Sequence, residues 1–238
     1  MESKTAIITG GTGNLGVSLV NKFADEGIKV YIPVRSLKKF NDIFDSSLKE
    51  GGEFKLRKIF AFECDISSDT AVSEFVDSVS AIEKNKIHYL INTAGGIHPL
   101  KNVEDFDTAS FMENFDVNFL SAFRFTRSVL KYMKEINFGR IVCIGSITGR
   151  EPAPGWLAYS VSKSALVSLM DIISKEYKDF GIRGNVIIPG IIDTPSNREW
   201  GTEEEIKNWI KPEKISEIIY SLINDSITPT PGTIIKLY

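Results

Sequence analysis

Thr5-Ala-Ile-Ile-Thr-Gly-Gly-Thr-Gly-Asn-Leu-Gly16 combines a short β-rich run, a glycine-rich turn and the start of an amphipathic helix. A strand, a glycine turn and a helix in direct succession are the context that a dinucleotide-binding unit requires. Gly11, Gly13 and Gly16 follow the spacing G-x-G-x-x-G, which permits a tight turn and lets a pyrophosphate approach the N-terminus of the helix. Gly27 is placed to end that helix in a left-handed conformation. The alternative interpretation is a glycine-rich turn that binds no ligand.

Strands and helices alternate along the rest of the sequence, without repeats, linkers or low-complexity tracts, which predicts one domain. Apolar runs predict six further strands: Lys29–Val34, Ile59–Cys64, Ile87–Ile91, Arg140–Gly145, Arg183–Ile188 and Thr233–Leu237. Predicted helices lie between them: one that ends at about Glu50 before Gly51-Gly52, one from about Asp69, one from Thr108 to about Ile136, one through Tyr159 to about Phe180, and Pro212–Asn224.

The composition is that of an ordinary globular protein, with 42% hydrophobic and 25% charged residues in a chain of 238. A net charge of -3 argues against a nucleic-acid partner or an anionic membrane surface. We expect no targeting segment before Thr5, and no membrane span, because no apolar run approaches the roughly 18 residues that one requires. Cys64 and Cys143 lie in strand-like runs without metal-ligand spacing, so we expect buried thiols in a reducing cytoplasm and no metal site.

A second stretch, Ser146-Ile-Thr-Gly-Arg-Glu-Pro-Ala-Pro-Gly-Trp-Leu-Ala-Tyr-Ser-Val-Ser-Lys163, places three groups where they can share a proton. Tyr159 and Lys163 are four residues apart, on one helix face. Lowering the pKa of a tyrosine from about 10 to about 7 requires roughly 4 kcal/mol, which an ammonium about 4 Å away supplies at an effective dielectric constant of 20. We therefore expect Lys163 to lower the pKa of Tyr159, and Ser146 to hold a carbonyl or alcohol oxygen beside the phenol. Tyr-x-x-x-Lys alone also fits an amphipathic helix with a solvated lysine.

These stretches, together with Asn92-Thr-Ala-Gly95 and Pro189-Gly-Ile-Ile-Asp-Thr194, occur in the order of the short-chain dehydrogenase/reductases, which the whole chain resembles. The shorter, single-domain branch usually shows T-G-x-x-x-G-x-G, and this chain has Asn14 at the middle glycine. The longer branch's T-G-x-x-G-x-x-G also fits through Gly13, but the length and the Asn-x-Ala-Gly turn favour the shorter branch. The resemblance implies an α/β fold: residues 1–238 form a single Rossmann-type domain, a doubly wound parallel sheet of about seven strands in the order 3-2-1-4-5-6-7 with helices on both faces.

A nicotinamide dinucleotide cofactor is also implied by the resemblance. The residues implied to bind it are Gly10, Thr12, Gly13, Asn14, Leu15 and Gly16 at the pyrophosphate, Asp65 and Ile66 at the adenine, Asn92, Ala94 and Gly95 beside the nicotinamide ribose, Tyr159 and Lys163, and Pro189, Gly190, Ile192 and Thr194 near the nicotinamide amide. Asp65 could instead cap the following helix, and Pro189-Gly190 could be an ordinary turn.

The end of the second predicted strand indicates which dinucleotide is used. An acid there binds the ribose 2′-OH of NAD, whereas a nearby arginine accommodates the 2′-phosphate of NADP. The acidic position holds Val34, Arg35 follows, and Lys38 and Lys39 are close by. We expect NADP, with NAD possible; alternatively, Arg35 is a surface residue that opens the next helix.

The resemblance assigns catalytic roles to four residues. Tyr159 gives or takes the proton, Lys163 lowers its pKa and binds the nicotinamide ribose, and Ser146 orients the substrate oxygen. Asn118 holds a water that connects Lys163 to bulk solvent, unless it is a satisfied core asparagine. The substrate is expected between Gly96–Leu100, Ile147–Leu157 and a lid, residues 196–210, that follows Pro195.

The expected function is an NADP-dependent carbonyl reductase or alcohol dehydrogenase acting on a small molecule. A 3-oxoacyl-carrier-protein reductase is an alternative that a basic docking patch would support. A dihydropteridine-reductase-like enzyme is suggested by Asp193–Arg198, although such enzymes generally lack the serine and carry an acid after the second strand. A dinucleotide-sensing protein without activity is the rival from another class. The substrate and the direction of the reaction stay open.

The helix predicted from Thr108 carries apolar residues on more than one face. Its phenylalanines recur every four residues and form one stripe, and a second apolar set lies off that stripe. The stripe consists of Phe111, Phe115, Phe119 and Phe123, and the second set of Val117, Phe125, Val129 and Met133. One interpretation is a wide core face against the sheet. We expect the other, in which one face packs on another subunit of a homodimer or homotetramer.

Overall fold

The computed structural model describes residues 3–48, 58–97, 100–224 and 232–238. Seven strands form one parallel sheet in the order β3-β2-β1-β4-β5-β6-β7. The strands are β1 Thr5–Thr9, β2 Lys29–Val34, β3 Ile59–Glu63, β4 Tyr89–Asn92, β5 Gly139–Ile144, β6 Ile182–Pro189 and β7 Ile234–Leu237. The predicted fold class and strand order are confirmed, with strand ends within about two residues of the prediction.

Helices cover both faces of the sheet, which explains why its central strands are apolar throughout rather than alternating with polar residues. The helices are α1 Asn14–Asp25, α2 Leu37–Leu48, α3 Asp69–Ile82, α4 Thr108–Phe115, α5 Ser121–Glu135, α6 Leu157–Glu176, α7 Pro195–Arg198, α8 Glu203–Ile206 and α9 Pro212–Ile223. One core lies between the sheet and helices α3, α5 and α6. The other lies under α1 and α9, and successive residues of β1 such as Ile7 and Ile8 enter opposite cores.

Two glycines end helical segments as the sequence predicts. Gly27 follows α1 with φ +84°, and Gly181 follows a short 3-10 turn, Lys178–Phe180, with φ +64°. Both values lie in the left-handed region that a residue without a Cβ enters at little cost. The predicted stop of α2 at Gly51-Gly52 lies outside the described residues.

The helix predicted from Thr108 to Ile136 is not regular, because a π turn, Asp116–Leu120, separates α4 from α5. A π turn accommodates one extra residue in a helix and commonly occurs at functional sites. Beyond it, Phe125, Val129 and Met133 are fully buried against the sheet. The interruption therefore keeps the apolar seam of α5 on the core while changing the direction of the side chains within the turn.

Helix α6 is long and apolar enough to cross a membrane by length and composition alone, with a mean hydropathy of 1.2, contrary to the expectation that no segment approaches this limit. Half of that window is buried inside the domain. Its residues Leu166, Met170 and Ile173 belong to the core beside β5 and β6. This is the environment of a central helix in a globular domain.

Candidate active site

A cleft of about 470 Å³ opens at the carboxyl ends of β1, β2, β3 and β4. The strand order reverses between β1 and β4, and open parallel sheets bind ligands at such a switch point. The cleft is lined by Gly10, Thr12, Gly13, Pro33, Val34, Arg35, Lys39, Cys64, Asp65, Ile66, Ser67, Thr93, Ala94, Gly95, Asp116 and Val117. Eight of the residues predicted to bind a cofactor are thereby brought together on its walls.

The glycine turn after β1 has the geometry of a phosphate cradle. Gly10 has φ +67°, and a Cβ on Gly16 would lie 2.1 Å from the carbonyl oxygen of Gly10, so only glycine fits there. Gly13 takes the cap position of α1, leaving the first N–H groups of this helix for an anion. Asn14 is the first residue of α1 and has helical backbone angles, so it needs no left-handed conformation. Leu15 is the second residue of α1 and is partly buried.

The far end of the cleft combines two cations with a fixed carboxylate. Arg35 and Lys39 are exposed on its wall. The carboxylate of Asp65 accepts hydrogen bonds from the Ser67 hydroxyl at 2.7 Å and the Ser67 N–H at 2.9 Å, which lower the pKa of Asp65. The N-cap of α3 is Ser68, which accepts from the N–H of Ala71 at 3.2 Å. Asp65 is therefore not the helix cap that the sequence allowed as an alternative.

The segment after β4 is locked to β1. Thr93 Oγ1 donates to the carbonyl of Thr9 at 2.6 Å, and the N–H of Ala94 donates to Thr9 Oγ1 at 3.3 Å. Asn92, at the end of β4, is 4% exposed, and its Nδ2 donates to Cys143 Sγ at 3.6 Å. The strand end is thus held at the centre of the sheet.

Asn118, inside the π turn, fixes the backbone that follows Gly95. Its Oδ1 accepts from the N–H of Gly96 at 3.1 Å, and its Nδ2 donates to the carbonyls of Gly96 and Asn114 at 2.9 and 3.0 Å. A Cβ on Gly95 would lie 2.7 Å from Asn118 Oδ1 and 3.4 Å from Lys163 Nζ. Both ends of the amide are thus engaged with protein atoms, and Lys163 lies beside them.

Ser146 and Tyr159 meet at the carboxyl end of β5. The Ser146 hydroxyl is close enough to Tyr159 to lower the pKa of the phenol. Ser146 Oγ also accepts from the N–H of Thr148 at 3.3 Å and lies 3.0 Å from Thr148 Oγ1. A serine, a phenol and a further hydroxyl therefore form one chain of polar groups that ends next to Trp156, whose ring centroid is 5.8 Å from that of Tyr159.

Lys163 is placed in the predicted site, but the predicted lowering of the pKa of Tyr159 is wrong. Burial raises the pKa of Tyr159 above 10, partly offset by the hydrogen bond from Ser146. Burial also lowers the pKa of Lys163 to about 8. Its Nζ donates to the carbonyl of Ile144 at 2.9 Å and lies 5.5 Å from the Tyr159 ring centroid. Burial thus disfavours the charged form of both side chains.

The residues predicted near the nicotinamide amide follow β6. Pro189 ends the strand, and the N–H of Gly190 donates to the carbonyl of Leu237 at 2.9 Å. Asn197 Nδ2 donates to the carbonyl of Ile192 at 2.8 Å. Thr194 caps the short helix α7, accepting from the N–H of Asn197 at 3.3 Å. These residues are placed at the carboxyl end of the sheet, on the side of β6 rather than on the walls of the main cleft.

The predicted lid consists of two short helices and a pair of tryptophans. Trp200 is 60% exposed, Trp209 is 9% exposed, and their ring centroids are 5.1 Å apart. A bidentate ion pair between Arg198 and Asp193 holds α7, with distances of 2.5 and 2.7 Å. Of the other predicted substrate segments, residues 98 and 99 lie outside the described part of the chain.

Several residues of the site were not selected from the sequence. Their shared signal is a hydroxyl at or after the end of a strand, too common a pattern to stand out: Thr9, Ser67, Thr93 and Thr148. Asp116 and Val117 reach the cleft only because the π turn projects there.

Together these walls fit a dinucleotide. The glycines admit close approach of a diphosphate, the uncapped N–H groups of α1 complement its charge, and Asp65 and Arg35 stand at the end where a base and ribose would lie. Among the described residues, no group of three or more histidine, cysteine, aspartate or glutamate side chains is placed to hold a metal ion. Fold and site thus define a dinucleotide-dependent α/β protein with a Ser-Tyr-Lys centre.

Comparison with known proteins identifies the family. Residues 4–205 match the family model of the short chain dehydrogenases. The chain is 30% identical over 220 residues to a 7alpha-hydroxysteroid dehydrogenase of Paraclostridium sordellii, covering 92% of this chain and 80% of the relative. It is 29% identical to a cyclopentanol dehydrogenase of Comamonas testosteroni, with 84% and 77% covered. A 3-oxoacyl-[acyl-carrier-protein] reductase of Mycobacterium avium, MabA, is 28% identical, with 82% and 71% covered.

Solved structures share the fold. An NAD+-bound xylitol dehydrogenase matches with a TM-score of 0.85 at 23% identity, covering 98% of this chain and 96% of the other. ElxO with NADP bound matches with a TM-score of 0.88 at 23% identity, covering 99% and 97%. The chain belongs to the short-chain dehydrogenase/reductase family. It is an NAD(P)-dependent oxidoreductase that interconverts a carbonyl and an alcohol.

Proposed function

We propose that this protein is an NADP-preferring carbonyl reductase or alcohol dehydrogenase in which Tyr159 is the general acid and base. The observation that carries this proposal is the proximity of the partly buried Ser146 and Tyr159 to the buried Lys163 beside the cleft. A substrate oxygen that is hydrogen-bonded to the Ser146 hydroxyl would lie next to the hydroxyl proton of Tyr159, which is the proton to be transferred.

In the direction of reduction, Ser146 donates a hydrogen bond to the carbonyl oxygen, and Tyr159 transfers its phenolic proton to that oxygen. When bound, a reduced nicotinamide would supply the hydride for this reduction, and its oxidised form would accept one in the reverse direction. As the phenolate forms, the nearby ammonium of Lys163 gains a counter-charge, which offsets the burial cost that both groups carry in the free protein. The pKa of Lys163, about 8, lets it exchange a proton near neutral pH.

The test of this assignment is Tyr159→Phe, measured with NADPH and a panel of small ketones and aldehydes. We expect turnover to fall by about 10²–10⁴-fold, the usual contribution of a general acid or base. Cofactor affinity should change little, because the ring and its packing on Trp156 remain. Full activity in this variant would overturn the role of Tyr159.

The preference for NADP is supported by charge at one end of the cleft. Arg35 and Lys39 lie on the same wall as Asp65, and Val34 occupies the place of an acid. A 2′-phosphate would meet two cations there, whereas a 2′-OH would meet no carboxylate at Val34.

Arg35→Ala tests this preference. We expect the Kd for NADPH to rise at least about tenfold, as for the loss of one charge-assisted contact, while the Kd for NADH stays constant. Lys38→Ala is the matched control, because Lys38 is an exposed cation three residues after Arg35 that is not among the lining residues of the cleft. Equal losses for both cofactors, or none, would contradict the preference.

A free small molecule fits the entrance better than a substrate tethered to a carrier protein. Docking an acidic carrier protein requires a basic patch. The lid instead exposes four carboxylates, Glu199, Glu203, Glu204 and Glu205. The presence of both Ser146 and Arg35 differs from the pattern of dihydropteridine reductases, which generally lack the serine and carry an acid after the second strand. The presence of both Tyr159 and Lys163 argues against a sensing protein without activity.

We also propose a homodimer or homotetramer that uses the outer face of α4, α5 and α6. Each ring of the phenylalanine stripe is partly exposed, and adjacent ring centroids are 4.9 to 6.3 Å apart. Val161 and Ile172 of α6 are 40% and 48% exposed, and Met112 of α4 is 45% exposed. Apolar surface of this extent favours burial against a second copy. Sedimentation that shows only a 26.5 kDa species at micromolar concentration would contradict it.

A cytoplasmic location is our further proposal, since both cysteines are free and buried. Reduced thiols without a disulfide are usual in that compartment. Fractionation of the native cells tests it, and recovery of the protein outside the cytoplasm would overturn it.

A further inference from the structure

Arg124 lies on α5, outside the cleft, yet contacts two of its walls. Its guanidinium is 11% exposed. One amino group donates to Asp116 Oδ1 at 2.7 Å, and the other donates to the carbonyl of Ile66 at 3.3 Å. Asp116 belongs to the π turn and Ile66 to the loop between β3 and α3. One side chain thus joins two segments that are about 50 residues apart in sequence.

Both of these segments line the dinucleotide cleft at the same end. Ile66, with its neighbours Asp65 and Ser67, forms one wall, and Asp116 with Val117 forms another. The planar guanidinium presents its donors in fixed directions, so the pair of bonds sets the spacing of the walls rather than merely attracting them. The positive charge also contributes to lowering the pKa of Asp65.

We propose that Arg124 is a positioning residue that sets the affinity for the adenosine half of the cofactor without touching it. This inference rests on the proposed dinucleotide site. Because the guanidinium already holds the two segments at the spacing at which the base binds, less conformational entropy is lost when the cofactor binds. The hydroxyls of Ser146 and Tyr159 lie after β5 and on α6, outside the two segments that Arg124 joins, so we expect its removal to affect cofactor affinity more than the chemical step.

The helix offers a matched control. Arg127, one turn further along α5, also carries a guanidinium and forms an ion pair with Asp69, but it is 53% exposed. Its other neighbour is the ring of Phe123, at 5.5 Å. Removing this arginine deletes the same charge from the same face and leaves both walls of the cleft in place.

The experiment compares Arg124→Met, Arg124→Lys and Arg127→Met by titration with NADPH, NADH and ADP-ribose, together with steady-state kinetics. For Arg124→Met we expect the Kd of all three ligands to rise about tenfold, as for the loss of a charge-assisted hydrogen bond between buried groups. The kcat at saturating cofactor should stay within about twofold of the wild type. Arg124→Lys should recover part of the loss, and Arg127→Met should match the wild type.

Asp116→Asn provides a second variant should Arg124→Met fold poorly. It preserves the shape of the turn but weakens the bond to the guanidinium, so cofactor affinity should fall in the same sense, and its effect should not add to that of Arg124→Met. Wild-type affinity in a folded Arg124→Met protein, or a loss confined to kcat, would overturn the inference while leaving the proposed function intact. Failure of the wild-type protein to bind any of the three ligands would overturn both.

Discussion

Lys163 carries its ammonium in a place where water does not reach, with 5% of the residue exposed and a single hydrogen bond to Ile144 among the contacts given above. Burial lowers its pKa from 10.5 to about 8. A lysine of this kind destabilises the folded protein at neutral pH, because the unfolded chain solvates the charge better. Stability of the fold therefore does not explain a lysine at this position.

This cost predicts a specific dependence on pH. Below about pH 8, Lys163 is protonated in both the folded and the unfolded protein, and the cost of burying its ammonium is fully present. Between about pH 8 and 10.5, only the unfolded protein keeps this proton, so the free energy of unfolding rises with pH. Relative to Lys163→Met, the wild type should gain about 2–3 kcal/mol of unfolding free energy between pH 7 and pH 10. Urea denaturation of both proteins across this range measures it. If the unfolding free energies of the wild type and Lys163→Met change in parallel with pH, burial does not lower the pKa of Lys163.

Thr148 supplies a second residue-scale prediction. Its hydroxyl and N–H both meet Ser146 Oγ, so they fix where that oxygen points. Thr148→Val keeps the shape and the N–H but removes the hydroxyl. We expect kcat/KM for a carbonyl substrate to fall about tenfold, the value of one hydrogen bond in the transition state. Thr148→Ser should retain activity. If kcat/KM of Thr148→Val equals that of the wild type, Thr148 has no role in orienting Ser146.

At this scale the sequence predicts chemical identity better than electrostatic state. Ser146, Tyr159 and Lys163 were identified by residue type and spacing, and the structure brings them together. The direction of the pKa shift of Tyr159 was not predictable, because it depends on how much solvent the folded chain excludes. Burial of that kind is set by elements far away in sequence.

The π turn between α4 and α5 is the element on which the site depends most. It directs Asn118 at Gly96 and brings Asp116 to the cleft. The phenylalanines at every fourth position predict a continuous helix, since periodicity records burial and not the hydrogen-bonding pattern. The extra residue is accommodated through a tertiary contact with the loop after β4, which no local pattern shows.

Gly95 and Gly96 allow the turn and the loop to be tested together. A Cβ on Gly95 would lie 2.7 Å from Asn118 Oδ1, whereas one on Gly96 meets nothing within 4 Å among the described residues. Gly95→Ala should therefore cost about 1–3 kcal/mol, as overpacking does, and should reduce activity by displacing Asn118. Gly96→Ala is the control and should leave both unchanged. Thermal melts and kcat of the two variants measure this; equal behaviour would contradict the close contact.

At the scale of the whole molecule, the strand order brings residues from both halves of the chain together at the carboxyl ends of the strands. Strands, their order and the crevice at the reversal were all predictable, because parallel β-α units follow strong rules of connection and handedness. The seven strands agree with that expectation. The width of the cleft and the substrate pocket depend on irregular segments, whose shape no periodicity encodes.

Ligand binding should stabilise the whole domain. At about 100 times its Kd, a cofactor that binds only the folded state adds roughly 2.7 kcal/mol, which for a chain of this size raises Tm by about 5–10 °C. We expect NADPH to produce this shift and NADH a smaller one at equal concentration. Equal shifts would remove the preference for NADP, and no shift with either would place the glycine turn in question.

All three tryptophans of the chain stand at the substrate end of the domain. Trp156 packs on Tyr159, and Trp200 lies against Trp209 at a tilted angle in the lid. Tryptophan fluorescence, excited where tyrosine does not absorb, therefore reports on a single end of the molecule, because no tryptophan lies at the amino ends of the strands. If adding a compound changes the tryptophan emission, the compound acts near the lid or near Tyr159. Unfolding that is confined to the opposite edge of the sheet leaves this emission unchanged.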